Sequence, residues 1–451
     1  MSVKRVRPQP KTPLARVFAN TAWLLGGKGF SAIAGLIYLA ILTRTLGLKD
    51  FGHFSLIFGT AQALIAIAGF QTWRVVVRYG SEHVHNEDWE KFGRLGMLCG
   101  ALDVVGAICG TAIAGIMIYG FGPLLDLNPA YVDMAFWFNV AMVWAVVSAP
   151  TGMVRALHRF DMAVYVEAVV PILRVAAAVF IWQTGPSVGR FLLAWALIDV
   201  VEAACYWAMA RYLCPRAVRM AHLQDWRQAL AENDGLGHFF WVTYTGATLT
   251  ALVRYGPLLA VGALVGTKAA GLYRLAGQLT QAMSKLSTLL TRAVYAEVSR
   301  ARVAESAAEF RKLALHTSMV AAGAGALVVS VALLAGEQLL SLIAGPEFAK
   351  GAVILVPLAI AASLELASVA FEPVLHATGR ARMALTARII SALALGVALF
   401  SMVGSGPAGA AWGVAIGGAT GYVVMGMMAY ATLRRIERGE DDHPGSTARE
   451  V

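Results

Sequence analysis

Apolar runs of about 20 residues, the length that crosses the hydrocarbon core of a bilayer, recur about twelve times along the chain. The first six cover Thr21 to Thr43, Phe54 to Trp73, Leu95 to Tyr119, Val132 to Met153, Ala163 to Trp182 and Phe191 to Tyr212. The second six cover Phe239 to Ala263, Leu272 to Ala293, Leu315 to Leu340, Ala352 to Ala377, Met383 to Val403 and Ala408 to Leu433. These runs are continuously apolar and do not alternate residue by residue, which excludes the strands of a membrane barrel and leaves helices as the spanning form. The pattern predicts an all-α membrane protein of about 12 transmembrane helices.

The eighth run departs from this pattern. Arg274, Gln278, Gln281, Lys285, Thr288 and Arg292 follow one another at steps of three and four, which sets them along one face of a helix. Thr280, Ser284, Ser287 and Thr291 fall beside that stripe, while Leu275, Leu279, Ala282, Leu286 and Leu289 form a flank expected to meet lipid. A charge near the bilayer centre costs at least ~2.5 kcal/mol, so the stripe must face protein or a watery cavity. A cavity lined with positive charge points to an anionic substrate.

Composition agrees with a polytopic membrane protein: 58% of the 451 residues are hydrophobic, 14% are charged and the mean hydropathy is +0.64. Threading the spans divides the 37 Lys and Arg residues sharply, with 27 on the side that carries both termini and five (Arg44, Lys49, Arg190, Lys268, Lys350) on the other. The positive-inside rule therefore predicts cytoplasmic termini. The net charge of +10 describes a rim beside anionic lipid, and no nucleic-acid partner is expected. Segments on the opposite side are short, which argues against a membrane enzyme of glycan assembly. The first run follows Lys4, Arg5, Arg7, Lys11 and Arg16 as a signal peptide would, but it is too long, and it is read as retained. Cys99, Cys109, Cys205 and Cys214 form no CxxC pair, and Glu82, His83, His85, Glu87 and Asp88 lack regular spacing, so no metal site or cofactor is expected.

Two halves are legible. Gly47-Leu-Lys-Asp-Phe-Gly-His-Phe-Ser-Leu56 is echoed by Gly266-Thr-Lys-Ala-Ala-Gly-Leu-Tyr-Arg-Leu275, and Gln62 falls opposite Gln281. A weaker echo sets Arg159, Met162 and Ala163 against Arg380, Met383 and Ala384. Six spans repeated in the same orientation give two six-helix lobes related by an axis along the membrane normal. The expected organisation is a basic tail (1–16), an N-lobe (17–212), a cytoplasmic linker (213–238) with an interfacial helix around Leu223, Trp226 and Leu230, a C-lobe (239–436) and a disordered tail (437–451). Two lobes about a midplane cavity suit an alternating-access carrier. No phosphate-binding loop is present, since Gly26-Gly-Lys28-Gly lacks the required spacing and hydroxyl, so ATP is not the direct driver.

Lys28, Arg174, Arg254, Arg274 and Lys285 are the expected intramembrane bases. Lys28 either lines the cavity or reaches back to the interface; Arg174 either meets substrate or pairs with Glu167 or a carboxylate on a neighbouring helix. Arg254 precedes Gly256-Pro257, an expected break in its helix. Asp103, Glu167, Asp199, Glu202, Glu365 and Glu372 are the intramembrane acids, with Asp199 and Glu202 on one face and Glu365 and Glu372 on another. Close carboxylates in a low dielectric suit proton or cation coupling, or they counterbalance the bases.

The segment Leu42-Thr-Arg-Thr-Leu-Gly-Leu-Lys-Asp-Phe-Gly-His-Phe54 resembles the junction of spans one and two in O-antigen-type polysaccharide flippases of the multidrug, oligosaccharidyl-lipid and polysaccharide (MOP) exporter superfamily. Gly271-Leu-Tyr-Arg-Leu-Ala-Gly-Gln278 and Leu289-Leu-Thr-Arg-Ala-Val-Tyr-Ala-Glu297 resemble their span eight. The resemblance implies a MOP flippase-like fold and transport of a polyprenyl-pyrophosphate-linked oligosaccharide across the inner membrane, without catalysis. It implies a polysaccharide polymerase and glycosyltransferases as partners beside the membrane lipids. It places Arg274 and Lys285 at the substrate, with a weaker claim for Lys28; Arg254, Gln278, Gln281 and Arg174 join them from spacing. A proton- or sodium-coupled multidrug exporter of the same superfamily is the alternative.

Overall fold

The computed structural model describes residues 13–122, 126–300, 307–377 and 380–437, with side chains from residue 31 onward apart from 160–161, 286–314 and scattered single positions. Regular structure among them is helical: α1 (Pro13–Ala68), α2 (Thr72–His85), α3 (Trp89–Gly115), α4 (Val132–Trp144), α5 (Ala149–Ala156), α6 (Phe160–Thr184), α7 (Val188–Leu213), α8 (Trp226–Ala231), α9 (Leu236–Leu264), α10 (Thr267–Arg300), α11 (Ala307–Ala344), α12 (Ala352–Ala367), α13 (Phe371–Ala377), α14 (Ala381–Met402) and α15 (Pro407–Glu437).

Ten segments of the described residues are long and apolar enough to cross a membrane. Two further crossings complete the expected twelve. α1 folds back on itself at Gly47, whose backbone (φ 70°, ψ 177°) is the left-handed, extended kind that only glycine adopts without strain. Tyr38 and Phe58 lie on either side of that bend, and both rings touch Trp195, at 5.3 and 4.7 Å between centroids. In one straight helix they would stand about 30 Å apart. The other crossing is α10, whose polar stripe lowers its hydropathy.

Three spans run differently from the sequence reading. The second does not continue to Trp73: it stops at Ala68, turns through Gln71 at φ 52° and restarts as the amphipathic α2. The fourth and tenth are each interrupted, between α4 and α5 and between α12 and α13. Pro150 and Pro373 sit within the first turn of the restarted helices, where a missing N–H costs nothing. Gly256-Pro257, by contrast, leaves α9 continuous from Leu236 to Leu264.

Among the described residues, the six joints on the face poor in Lys and Arg, called here the sparse face, each turn through a residue of positive φ: Gly47, Asp126, Gly185, Gly266, Gly345 and Gly406. They pair across the halves, 47 with 266 and 126 with 345 at a separation of 219, and 185 with 406 at 221. The repeat seen faintly in sequence is thus sharpest in the turns.

One core runs through both halves, with Phe51, Phe54, Leu56 and Phe348 fully enclosed. Leu275 and Leu279 belong to it. The upper part of the α10 flank is therefore buried in protein and does not face lipid, while Leu286 and Leu289 have side chains outside the described residues. Lipid instead meets side chains such as Leu334, Val397 and Phe400, which stand outward. The stretch between α7 and α9 is tied to the first half: Arg94 on α3 donates to both carboxylate oxygens of Glu232, His83 meets Asn233 at 3.0 Å, and the Tyr79 hydroxyl donates to the Asp234 carbonyl. Its helix is only Trp226–Ala231, with Trp226 and Leu230 exposed as an interfacial helix requires. The expected tail from 437 lies almost wholly outside the described residues, as does the basic tail at 1–16 in all but its start of α1.

Candidate functional site

On the sparse face the two halves are locked together by contacts that repeat the internal symmetry. A Cβ on Gly271 would come within 3.2 Å of the backbone of Gly52, its counterpart in the repeat, and one on Gly52 would come 2.3 Å from the Thr267 carbonyl. Only glycine allows this approach. Beside it, the Thr267 N–H donates to Asp126 Oδ2 at 3.2 Å, and the Thr267 hydroxyl donates to Asp126 Oδ2 (2.9 Å) and to its carbonyl (2.7 Å). The counterpart bond runs from the Leu48 N–H to Glu347 Oε2 at 3.4 Å. Each carboxylate thus crosses between halves to reach the start of a helical leg, where free N–H groups and the helix dipole favour negative charge. The Thr267 bonds hold the Asp126 carboxyl below the usual aspartate range. Arg44 donates to the Leu342 and Ile343 carbonyls, and Phe51 meets Phe348 edge-on at 5.7 Å.

Below this closure, toward the basic side, lies a cavity of about 320 Å³ between both legs of α1, α6, α7 and α10. Of the residues singled out in sequence, Arg274, Gln278, Gln281, Lys285 and Arg174 line it. The helical spacing of α10 delivers the first four to one wall. The guanidinium of Arg274 lies 4.4 Å over the Phe58 ring, and that of Arg174 lies 3.8 Å over Trp195. Such contacts offset part of the cost of removing a cation from water. Arg254 on α9 donates to Gln281 Oε1 at 2.9 Å and so adjoins the same wall. The side chains of Lys28, Thr288 and Arg292 lie outside the described residues.

The charges do not cancel. Arg174 forms an ion pair with Asp199 at 2.6 Å, not with Glu167, which instead faces Arg155 at 3.5 Å. Arg274, Lys285 and Arg254 have no carboxylate within ion-pair distance among the described residues. Glu202 stands one turn beyond Asp199 on α7, half-buried. The single helix face expected to carry Glu365 and Glu372 is broken, because the interruption of the tenth span lies between them. Glu372 takes two bonds from Arg388 Nη2, at 2.9 and 2.7 Å, and Glu365 is exposed on α12. Arg388 was missed in sequence: its place near the start of α14 groups it with the basic rim, and only the approach of Glu372 separates it from that rim. Asp103 is structural in its contacts, accepting from the Thr72 hydroxyl and the Ala149 N–H at 2.7 Å each, and so pinning the starts of α2 and α5. Among the described residues no cluster of His, Cys, Asp and Glu could hold a metal ion.

The family described as Polysaccharide biosynthesis protein matches residues 17–300, and the chain belongs to that family. The inner membrane protein YghQ of Escherichia coli (strain K12) is 27% identical over 338 residues, covering 74% of this chain and 93% of the relative. In three dimensions the fold is similar to an inward-facing multidrug resistance MATE family transporter of the MOP superfamily, with a TM-score of 0.68, 15% identity, and 90% of this chain and 96% of that one covered. It is also similar to the lipid II flippase MurJ in an inward closed conformation, with a TM-score of 0.67, 10% identity, and 94% and 90% covered. The chain therefore has the MOP-type fold of two six-helix lobes.

Proposed function

We propose, with that family membership as premise, that the protein is a flippase that carries an anionic lipid-linked oligosaccharide across the bacterial inner membrane by alternating access. The substrate class is a polyprenyl-pyrophosphate-linked repeat unit of a surface polysaccharide. The observation that carries this reading is the set of three cations, Arg274 and Lys285 lining one intramembrane cavity and Arg254 beside it, that have no carboxylate partner among the described residues. A diphosphate would supply the missing counter-charge through charge-assisted hydrogen bonds. The basic face is assigned to the cytoplasm by its arginine excess, with both termini on that side. The closed sparse face then makes this an inward-facing arrangement, ready to load from the side where such lipids are assembled. A glycosyltransferase and a polysaccharide polymerase would act before and after it.

A multidrug exporter coupled to protons or sodium is the second reading, supported by the MATE-like fold and by the Asp199 and Glu202 carboxylates on α7. Transport of a fluorescent polyprenyl-diphosphate glycolipid in proteoliposomes separates the two. The flippase reading expects the Arg274→Ala, Lys285→Ala double variant to fall at least about tenfold in rate. An unaltered rate, with efflux of cationic dyes from the same vesicles, would favour the exporter.

A further inference from the structure

We propose that Tyr38 is a substrate-contacting residue, whose hydroxyl donates a hydrogen bond to the phosphoryl oxygens that Arg274 attracts. This rests on the flippase reading above and adds a specificity residue to it.

Tyr38 lies on the first leg of α1, lines the cavity and is only 9% exposed. Its ring is held edge-on by Trp195 at 5.3 Å and Phe191 at 6.4 Å, so it has little freedom to swing elsewhere. Its hydroxyl has no hydrogen-bond partner among the described residues. The same is true of the Nε atoms of Arg174 and Arg274, which line the same cavity. Buried hydroxyls in proteins are as a rule hydrogen-bonded, and leaving one unpaired is costly. A phenylalanine would keep both ring contacts and remove that cost. The hydroxyl is thus a burden to folding unless something in the cavity accepts from it.

The neighbourhood states what that acceptor is. Tyr38 lines the cavity with two guanidinium groups, one from each half of the molecule, and the nearby Asp199 carboxylate is taken up by Arg174 and accepts no bond from the hydroxyl. Cations can only donate, so a ligand that satisfies them and the hydroxyl together must present several acceptor oxygens. A diphosphate ester does so, and a cationic drug does not. Because Tyr38 and Arg174 belong to one lobe and Arg274 to the other, such a ligand also bridges the two.

The test uses the full chain in lipid nanodiscs and farnesyl diphosphate as the probe, with binding followed by calorimetry and unfolding by a thermal melt. Wild type, Tyr38→Phe and Arg274→Gln are compared. The expected result is that Tyr38→Phe weakens binding about five- to tenfold while its melting temperature stays level or rises, and that Arg274→Gln weakens binding as well. Unchanged affinity in Tyr38→Phe, with Arg274→Gln impaired, overturns the role of Tyr38 and leaves the flippase reading standing. A lowered melting temperature in Tyr38→Phe makes the hydroxyl a structural group and overturns the proposal equally. Failure of the wild type to bind the diphosphate, or full binding by Arg274→Gln, removes the flippase reading and this inference with it.

Discussion

Arg94 shows how a single side chain can anchor a segment. Its side chain is 10% exposed and that of Glu232 is 13% exposed, and the two meet through paired hydrogen bonds. Removing one member of such a pair strands the other charge away from water. Glu232→Ala is therefore expected to lower stability by about 3 kcal/mol, measured as chemical or thermal unfolding in detergent, while the apolar double variant Arg94→Met, Glu232→Leu recovers most of the loss. The same residue-level logic explains what could be read before the fold was known. Arg274, Gln278, Gln281 and Lys285 were legible because helical spacing alone puts them on one wall. For Arg174 a carboxylate on a neighbouring helix was one of the readings open, but that the partner is Asp199 was not legible, because the pair joins two helices whose relative rotation no local pattern encodes. Tyr38 and Trp195 carried no signal at all, since an aromatic residue within an apolar run reads as packing.

At the level of helices, the informative features are the ends and the interruptions. Proline inside a run proved ambiguous: Pro171, Pro257 and Pro357 sit within continuous helices, whereas Pro150 and Pro373 each open a new one. Position relative to a restart decides which occurs, and hydropathy does not reveal it. The starts of the second leg of α1 and of α10 are capped across the lobe interface by Glu347 and Asp126. Neutralising both carboxylates, in Asp126→Asn with Glu347→Gln, is expected to move the conformational equilibrium about fivefold toward opening on the sparse face. Distances between paired spin labels on that face would report the shift, and an unchanged distribution would deny the caps a part in closure. Because its bonds depress the Asp126 pKa, the closing contribution of this carboxylate is present above the ordinary aspartate range and is lost only as pH falls through the lower value. The wild-type label distances should therefore not change between about pH 8 and pH 5.5.

For the molecule as a whole, the repeat was visible in sequence as a handful of matched positions and in structure as a set of matched turns. The match is weak in the spans because any apolar residue serves there, and strong at the joints because a positive φ admits few residue types. Gly52 and Gly271 are the tightest expression of that symmetry, equivalent residues placed in mutual contact. Gly52→Val should hold the halves apart on the sparse face, abolishing transport while leaving expression and membrane insertion near wild type; labelling of a cysteine placed just below the contact by an impermeant reagent would rise in parallel.

The reversal at Gly47 joins a leg that meets the opposite lobe to a leg that lines the cavity, with no slack between them. The two therefore act as one lever. When the halves part at the sparse end, the wall bearing Tyr38 belongs to the moving leg, so the shape of the cavity and the seal above it are tied to one hinge.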